Sequence, residues 1–229
     1  AGVESEGWGE GVYKARFNLG LILAEEIKAR GIEADLILPV PETSRIAAIA
    51  MSEALNTPFR ELLIKNRYVN RTFILDDQAA RQEAIRRKLF PITKEIVGKR
   101  CLVVDDSIVR GNTALQIVKL IRQAGAKEVT LVSTCPPIAH PCYYGIDFPT
   151  PSELVANNRS EEQIAAALGA DRVVYQSIEG LRKALEQKSL CTGCLTGTYP
   201  TDISHGIHFN EQRQLDRDKQ LSDTAAEKR

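Results

Sequence analysis

"KRCLVVDDSIVRGNTALQIVKLIRQAGA", residues 99–126, sets an apolar run, two adjacent aspartates, a glycine and a helix-like stretch in immediate succession. The run "CLVVD" (101–105) is apolar without alternation, as strands buried on both faces are. Residues 112–124 carry apolar side chains at helical spacing, and Gly125 is placed to end that helix. The aspartates therefore sit just beyond the carboxyl end of a strand, where open α/β sheets bind their ligands.

The same grammar extends outward. Further short apolar runs are "DLILPV" (35–40), "RELLI" (60–64), "EVTLVST" (128–134) and "RVVYQS" (172–177), each read as a buried parallel strand. Helical patterns cover 12–30, with Ala15, Leu19, Ile22, Leu23 and Ile27 on one face and Gly31 as the stop, and 43–55. "SEEQIAAALG" (160–169) reads as a capping box, Ser160 at the cap and Gln163 three residues later. Strand and helix in alternation predict an α/β fold, a twisted and mainly parallel sheet flanked by helices.

With 229 residues, one main domain is expected. Thirty basic and thirty acidic residues cancel, so nothing in the balance points to nucleic acid or a membrane surface. No apolar run approaches the ~18 residues of a membrane helix, and the first residues lack a signal-peptide pattern. A soluble, cytoplasmic protein is the simple expectation. Residues 1–11 are expected to be a flexible lead-in, 12–209 the domain with a cysteine-bearing C-terminal extension, and 210–229 a disordered polar tail.

The loop Ser107–Thr113 opens a helix, where free backbone N–H groups and the helix dipole favour a phosphate, and Gly111 lets the backbone come close. Two carboxylates beside a phosphate would repel it unless they face ribose hydroxyls and a magnesium ion, which prefers oxygen ligands. "PVPETS" (39–44) likewise ends a strand and opens a helix. Taken singly, "DDS" also suits a solvated turn, and Thr43 or Ser44 a plain helix cap.

The longer pattern resembles a family. "VVDDSIVRGNT" (103–113) is similar to the phosphoribosyl pyrophosphate (PRPP) loop of type I phosphoribosyltransferases, in the wording of the amidophosphoribosyltransferases. "PVPETS", "IKNRYVNRTF" (64–73), "PPIAHPCYYGID" (136–147) and "CTGCLTGTYPT" (191–201) extend the resemblance over most of 12–204. It departs at Asn112, where the family commonly has threonine.

The resemblance implies the first committed step of purine synthesis: PRPP and ammonia giving 5-phosphoribosylamine and pyrophosphate. It implies that Asp105 and Asp106 hold the ribose hydroxyls and, with Thr43, Mg2+. It places the 5-phosphate on Ser107, Ile108, Val109, Arg110, Gly111, Asn112 and Thr113, and the pyrophosphate on Glu42, Thr43 and Ser44. Lys65 is brought towards that pyrophosphate, so Lys65, Asp105 and Asp106 carry the catalytic expectation. Lys65, Arg67, Arg71, Arg81, Arg86, Arg87 and Lys88, with Tyr68 and Phe73, form a basic region that the family uses as a closing loop; a nucleic-acid surface is the weaker reading. Water exclusion matters, because the sugar carbon reacts through a cation-like state. The partners implied are a glutaminase domain or subunit, for which nothing in this sequence matches, and identical chains in a homo-oligomer.

Five cysteines, an odd number, suggest reduced thiols or metal ligands. Cys191 and Cys194 form C-x-x-C; with His205 and His208 the gaps are shorter than those of a zinc finger. The resemblance implies a [4Fe-4S] cluster on Cys142, Cys191 and Cys194, its fourth ligand lying before the transferase domain, whereas this sequence has no cysteine before Cys101. Cys101 and Cys135 read as buried thiols, and no histidine is needed for catalysis. Two rival readings stand: a salvage enzyme transferring phosphoribose to a nucleobase, and a non-catalytic PRPP sensor.

Overall fold

The computed structural model describes residues 4–7, 10–65, 89–146, 150–209 and 212. The strands are β1 (Glu6–Gly7), β2 (Glu10–Gly11), β3 (Leu36–Pro39), β4 (Leu63–Lys65), β5 (Leu89–Pro91), β6 (Arg100–Asp105), β7 (Glu128–Ser133) and β8 (Arg172–Tyr175). The helices are α1 (Val12–Ala29), α2 (Arg45–Leu55), α3 (Thr93–Ile96), α4 (Asn112–Gln123), α5 (Glu161–Leu168), α6 (Ile178–Leu185) and α7 (Gly193–Thr196).

Strands β3, β6, β7 and β8 form a parallel sheet in that order. Their side chains alternate between two cores. Leu38, Val103, Leu131 and Val173 join Ile117 and Ile121 of α4 and Ile164 of α5 on one face. Ile37, Leu102, Val104, Val132 and Val174 meet Leu23 and Ile27 of α1 and Met51 of α2 on the other. Burial on both faces is why these strands read as unbroken apolar runs, each large side chain contributing roughly 1.5–3 kcal/mol of transfer free energy.

Local signals end the helices where the sequence places them. Gly31 and Gly125 follow α1 and α4 with φ of 63° and 87°. The capping box of α5 is present in full: Ser160 Oγ accepts from Gln163 N–H at 3.3 Å, and Gln163 Oε1 accepts from Ser160 N–H at 2.9 Å. At Gly20, a Cβ would lie 2.3 Å from the Ala47 carbonyl oxygen, so a side chain there would separate α1 from α2.

One expected strand is corrected. "RELLI" touches the parallel sheet only at its start, where the Arg60 amide donates to the Ile37 carbonyl at 3.0 Å; its end, β4, pairs antiparallel with β5 in a separate ladder, Leu63 opposite Pro91. A three-residue ladder is too short to display the alternation that distinguishes the two arrangements. Within 1–11, β1 and β2 pair antiparallel, Glu6 opposite Gly11. Arg67, Tyr68, Arg71, Phe73, Arg81, Arg86, Arg87 and Lys88, and nearly all of 210–229, lie outside the described residues. Among the described residues no helix is long and apolar enough to cross a membrane.

Candidate functional site

The register aligns the carboxyl ends of the central strands. Pro39 lies opposite Val104, and Asp105 opposite Ser133, so the loops after β3, β6 and β7 emerge side by side. Two of them converge: Thr43 Oγ1 donates to Asp106 Oδ2 at 2.5 Å. The Asp106 amide donates to Asp105 Oδ1 at 2.8 Å, and Ser107 Oγ donates to Asp106 Oδ1 at 3.3 Å. Thr134, which the sequence reading passed over, joins from β7. Its amide donates to the Asp105 carbonyl at 3.0 Å and its hydroxyl to the Asp106 carbonyl at 3.2 Å. The only sequence signal for it is its position directly after an apolar strand.

The two carboxylates differ in surroundings. Asp106 is exposed, whereas burial, and then the charge of Asp106, pushes the Asp105 carboxyl up to about 7. Two adjacent carboxylates, one of them poorly solvated, make an unfavourable arrangement that a cation relieves.

Beyond them, Asp105 and residues 107–114 line an open cavity of about 310 Å³. Gly111, with φ of 78°, precedes α4, whose first turn has neither a side-chain cap nor an acidic residue. Helix α2, reached from Pro41 through Ser44, is also without both. Helices α5 and α6, remote from these loops in sequence, have Ser160 and Ser177 as caps and acidic first turns. The two helix starts beside Asp105 and Asp106, like that of α1, thus have no side-chain cap on their first-turn amides, an arrangement open to phosphate.

The structure places the other expected residues as follows. Glu42 and Thr43 are exposed on the loop after β3, whose Pro41–Glu42 peptide is cis. Ser44 is buried and its hydroxyl donates to the Val40 carbonyl at 2.5 Å, which braces the turn. Ile108 is 3% exposed and belongs to the core, so only its backbone faces the loop. Val109 is half-buried, while Asn112 and Thr113 are exposed on the first turn of α4. The Arg110 guanidinium turns to Glu153, Nε to Oε2 at 2.8 Å. Lys65 closes β4 as its last residue; its side chain lies outside the described residues.

The cysteines differ in surroundings, and Cys142 and Cys191 both lie near enough to Cys194 to act on its thiol. Cys101 is buried, and burial pushes its thiol up to about 11 and that of Cys135 to about 12. Cys194 anchors the extension through its carbonyl, which accepts from the amides of Ala139 and His140 at 3.1 and 3.0 Å. Its thiol is raised by burial first, then by Cys142. Among the described residues, no three or more His, Cys, Asp or Glu are arranged to hold a metal ion, so neither Cys142, Cys191 and Cys194 nor the pairing of Cys191 and Cys194 with His205 and His208 forms such a set.

Comparison with known proteins bears on these loops. The phosphoribosyl transferase domain family matches residues 16–148, more than half of the chain. The amidophosphoribosyltransferase of Methanocaldococcus jannaschii is 50% identical over 196 residues, covering 86% of this chain and 41% of that protein. The Bacillus subtilis enzyme of the same name is 47% identical over 201 residues, covering 85% of this chain and 42% of its own length. A solved B. subtilis glutamine PRPP amidotransferase, complexed with ADP and GMP, superposes with a TM-score of 0.79 at 45% identity, over 89% of this chain and 45% of that one. The chain thus spans less than half the length of these relatives. The matched stretch includes the loop after β3, both aspartates and the bare start of α4, and the chain belongs to the phosphoribosyl transferase domain family.

Proposed function

We propose that this chain is the phosphoribosyl-transferring part of an amidophosphoribosyltransferase, with residues 12–209 as its folded unit. It would bind PRPP and use ammonia to form 5-phosphoribosylamine and pyrophosphate, the first committed step of purine synthesis. The observation that carries the reading is the hydrogen bond from Thr43 to Asp106, which joins the loop before α2 to the loop before α4. That bond brings two uncapped helix starts to one carboxylate pair, which would suit a ligand with a phosphate at each end and hydroxyls between.

In this reading the backbone amides of 107–113 hold the 5-phosphate, Asp105 and Asp106 accept from the ribose hydroxyls, and the start of α2 receives the pyrophosphate. Arg110 contributes backbone rather than its guanidinium. Thr43, Asp105 and Asp106 fit magnesium: the donors are all oxygen, and the pair is electrostatically strained without a cation. Two carboxylates and a hydroxyl suffice, because magnesium normally completes its shell with substrate oxygens and water. When bound, it supplies charge neutralisation for the departing pyrophosphate. Ammonia is already a nucleophile, so the chain's task is to orient the sugar and stabilise charge rather than to move protons. Cys142, Cys191 and Cys194 would supply three of the four thiolates that a [4Fe-4S] cluster takes.

Binding of PRPP, titrated with and without magnesium, tests the reading. Asp105→Asn is expected to abolish the magnesium-dependent gain while leaving the fold intact, because it removes a charge and keeps the shape. Equal binding by both proteins in magnesium would refute the assignment.

A further inference from the structure

We infer that residues 150–157 form a brace for the phosphate-binding loop, and that Glu153 is a positioning residue for it through Arg110. This inference rests on the assignment of that loop to the 5-phosphate. Three contacts reach the loop from this segment. The Val155 amide donates to the Val109 carbonyl at 2.9 Å. Val155 Cγ2 lies 3.2 Å from where a Cβ on Gly111 would be, so the branched side chain fills the space under the glycine. Glu153, in the short helical turn Pro151–Glu153, accepts from Arg110 Nε at 2.8 Å.

The brace is itself anchored. Val155 is 5% exposed within the core, and Asn157 Nδ2 donates to the Ala139 carbonyl at 2.8 Å. Arg159 returns a guanidinium N–H to the Val155 carbonyl at 3.1 Å. The phosphate loop therefore has a fixed surface behind it. Loop amides that must converge on a phosphate bind best when held in place beforehand, because ordering them on binding costs affinity. Arg110 is the one cationic side chain among residues 107–113, and Glu153 engages its Nε at 2.8 Å.

The test compares the full 229-residue chain with Glu153→Ala, Arg110→Ala and the double substitution, reading PRPP affinity in magnesium and amide hydrogen exchange of residues 107–113. Both side chains are about half exposed, so none of these variants threatens the fold. Glu153→Ala is expected to weaken PRPP about two- to fivefold, the range an exposed ion pair supplies, and to speed exchange in the loop. The double substitution should be no worse than either single one, since both remove the same contact. Unchanged exchange in Glu153→Ala, or a larger loss from Arg110→Ala that adds to that of Glu153→Ala, would overturn the brace and make Arg110 a direct phosphate ligand. If the unsubstituted chain bound no PRPP, the substrate assignment would fall, while the exchange comparison would still decide the brace.

Discussion

Replacing Gly111 by alanine probes the loop where backbone and packing constraints coincide. Gly111 has φ of 78°, which costs an L-residue roughly 1–2 kcal/mol. Its new Cβ would lie 2.8 Å from Leu168 Cδ2 and 3.2 Å from Val155 Cγ2, inside normal contact distance. Overpacking of this kind adds about 1–3 kcal/mol. Gly98 is a matched control: its φ is 72°, and nothing lies within 4 Å of an added Cβ. Gly98→Ala should therefore lose only the backbone part, about 1–2 kcal/mol, and Gly111→Ala about 2–5 kcal/mol. Domains of this kind have about 5–15 kcal/mol in hand, so both variants remain measurable by urea unfolding. PRPP affinity should fall in Gly111→Ala, whose loop must shift, and hold in Gly98→Ala. Equal losses of stability would mean that Val155 and Leu168 yield freely, and would refute the claim that the loop rests on a close-packed base.

Two further perturbations address the scaffold. Asp35 accepts from the Arg100 amide and from Nη2, each at 2.8 Å, and the Arg100 side-chain and backbone hydrogen bonds hold its carboxyl down at about 2. A depressed carboxyl stabilises the fold above its unfolded value near 4 and loses that contribution as pH falls towards 2. Asp35→Asn should accordingly flatten the acid limb of the stability curve between about pH 4 and 2, by a modest amount because the pair is partly solvated. An unchanged acid limb would count against the pair. Gly20→Ala should destabilise by about 1–3 kcal/mol or more, since the added methyl meets the Ala47 backbone rather than a movable side chain, and a neutral result in thermal unfolding would contradict the helix contact.

Much of this architecture was legible in the sequence because its cues are local. "CLVVDD" announces a buried strand ending in two charges, and Ser160 with Gln163 spells a cap that the backbone forms in full. Contacts between distant segments leave no such mark. Leu63–Lys65 looks like any apolar strand, and its antiparallel partner is set by tertiary pairing with Leu89–Pro91. Nothing in the sequence around Gly20 marks the Ala47 backbone packed against it. The roles of Thr134, Glu153 and Val155 depend on which loops become neighbours. Cysteine spacing likewise names candidates without saying whether their thiols meet.

The most direct test of the central claim is pyrophosphate release from PRPP by this chain in magnesium, comparing ammonium chloride with glutamine as nitrogen source. Release that depends on ammonium, with none from glutamine, is the predicted result. PRPP binding without any release in ammonium would contradict a transferase site and favour a protein that only senses PRPP.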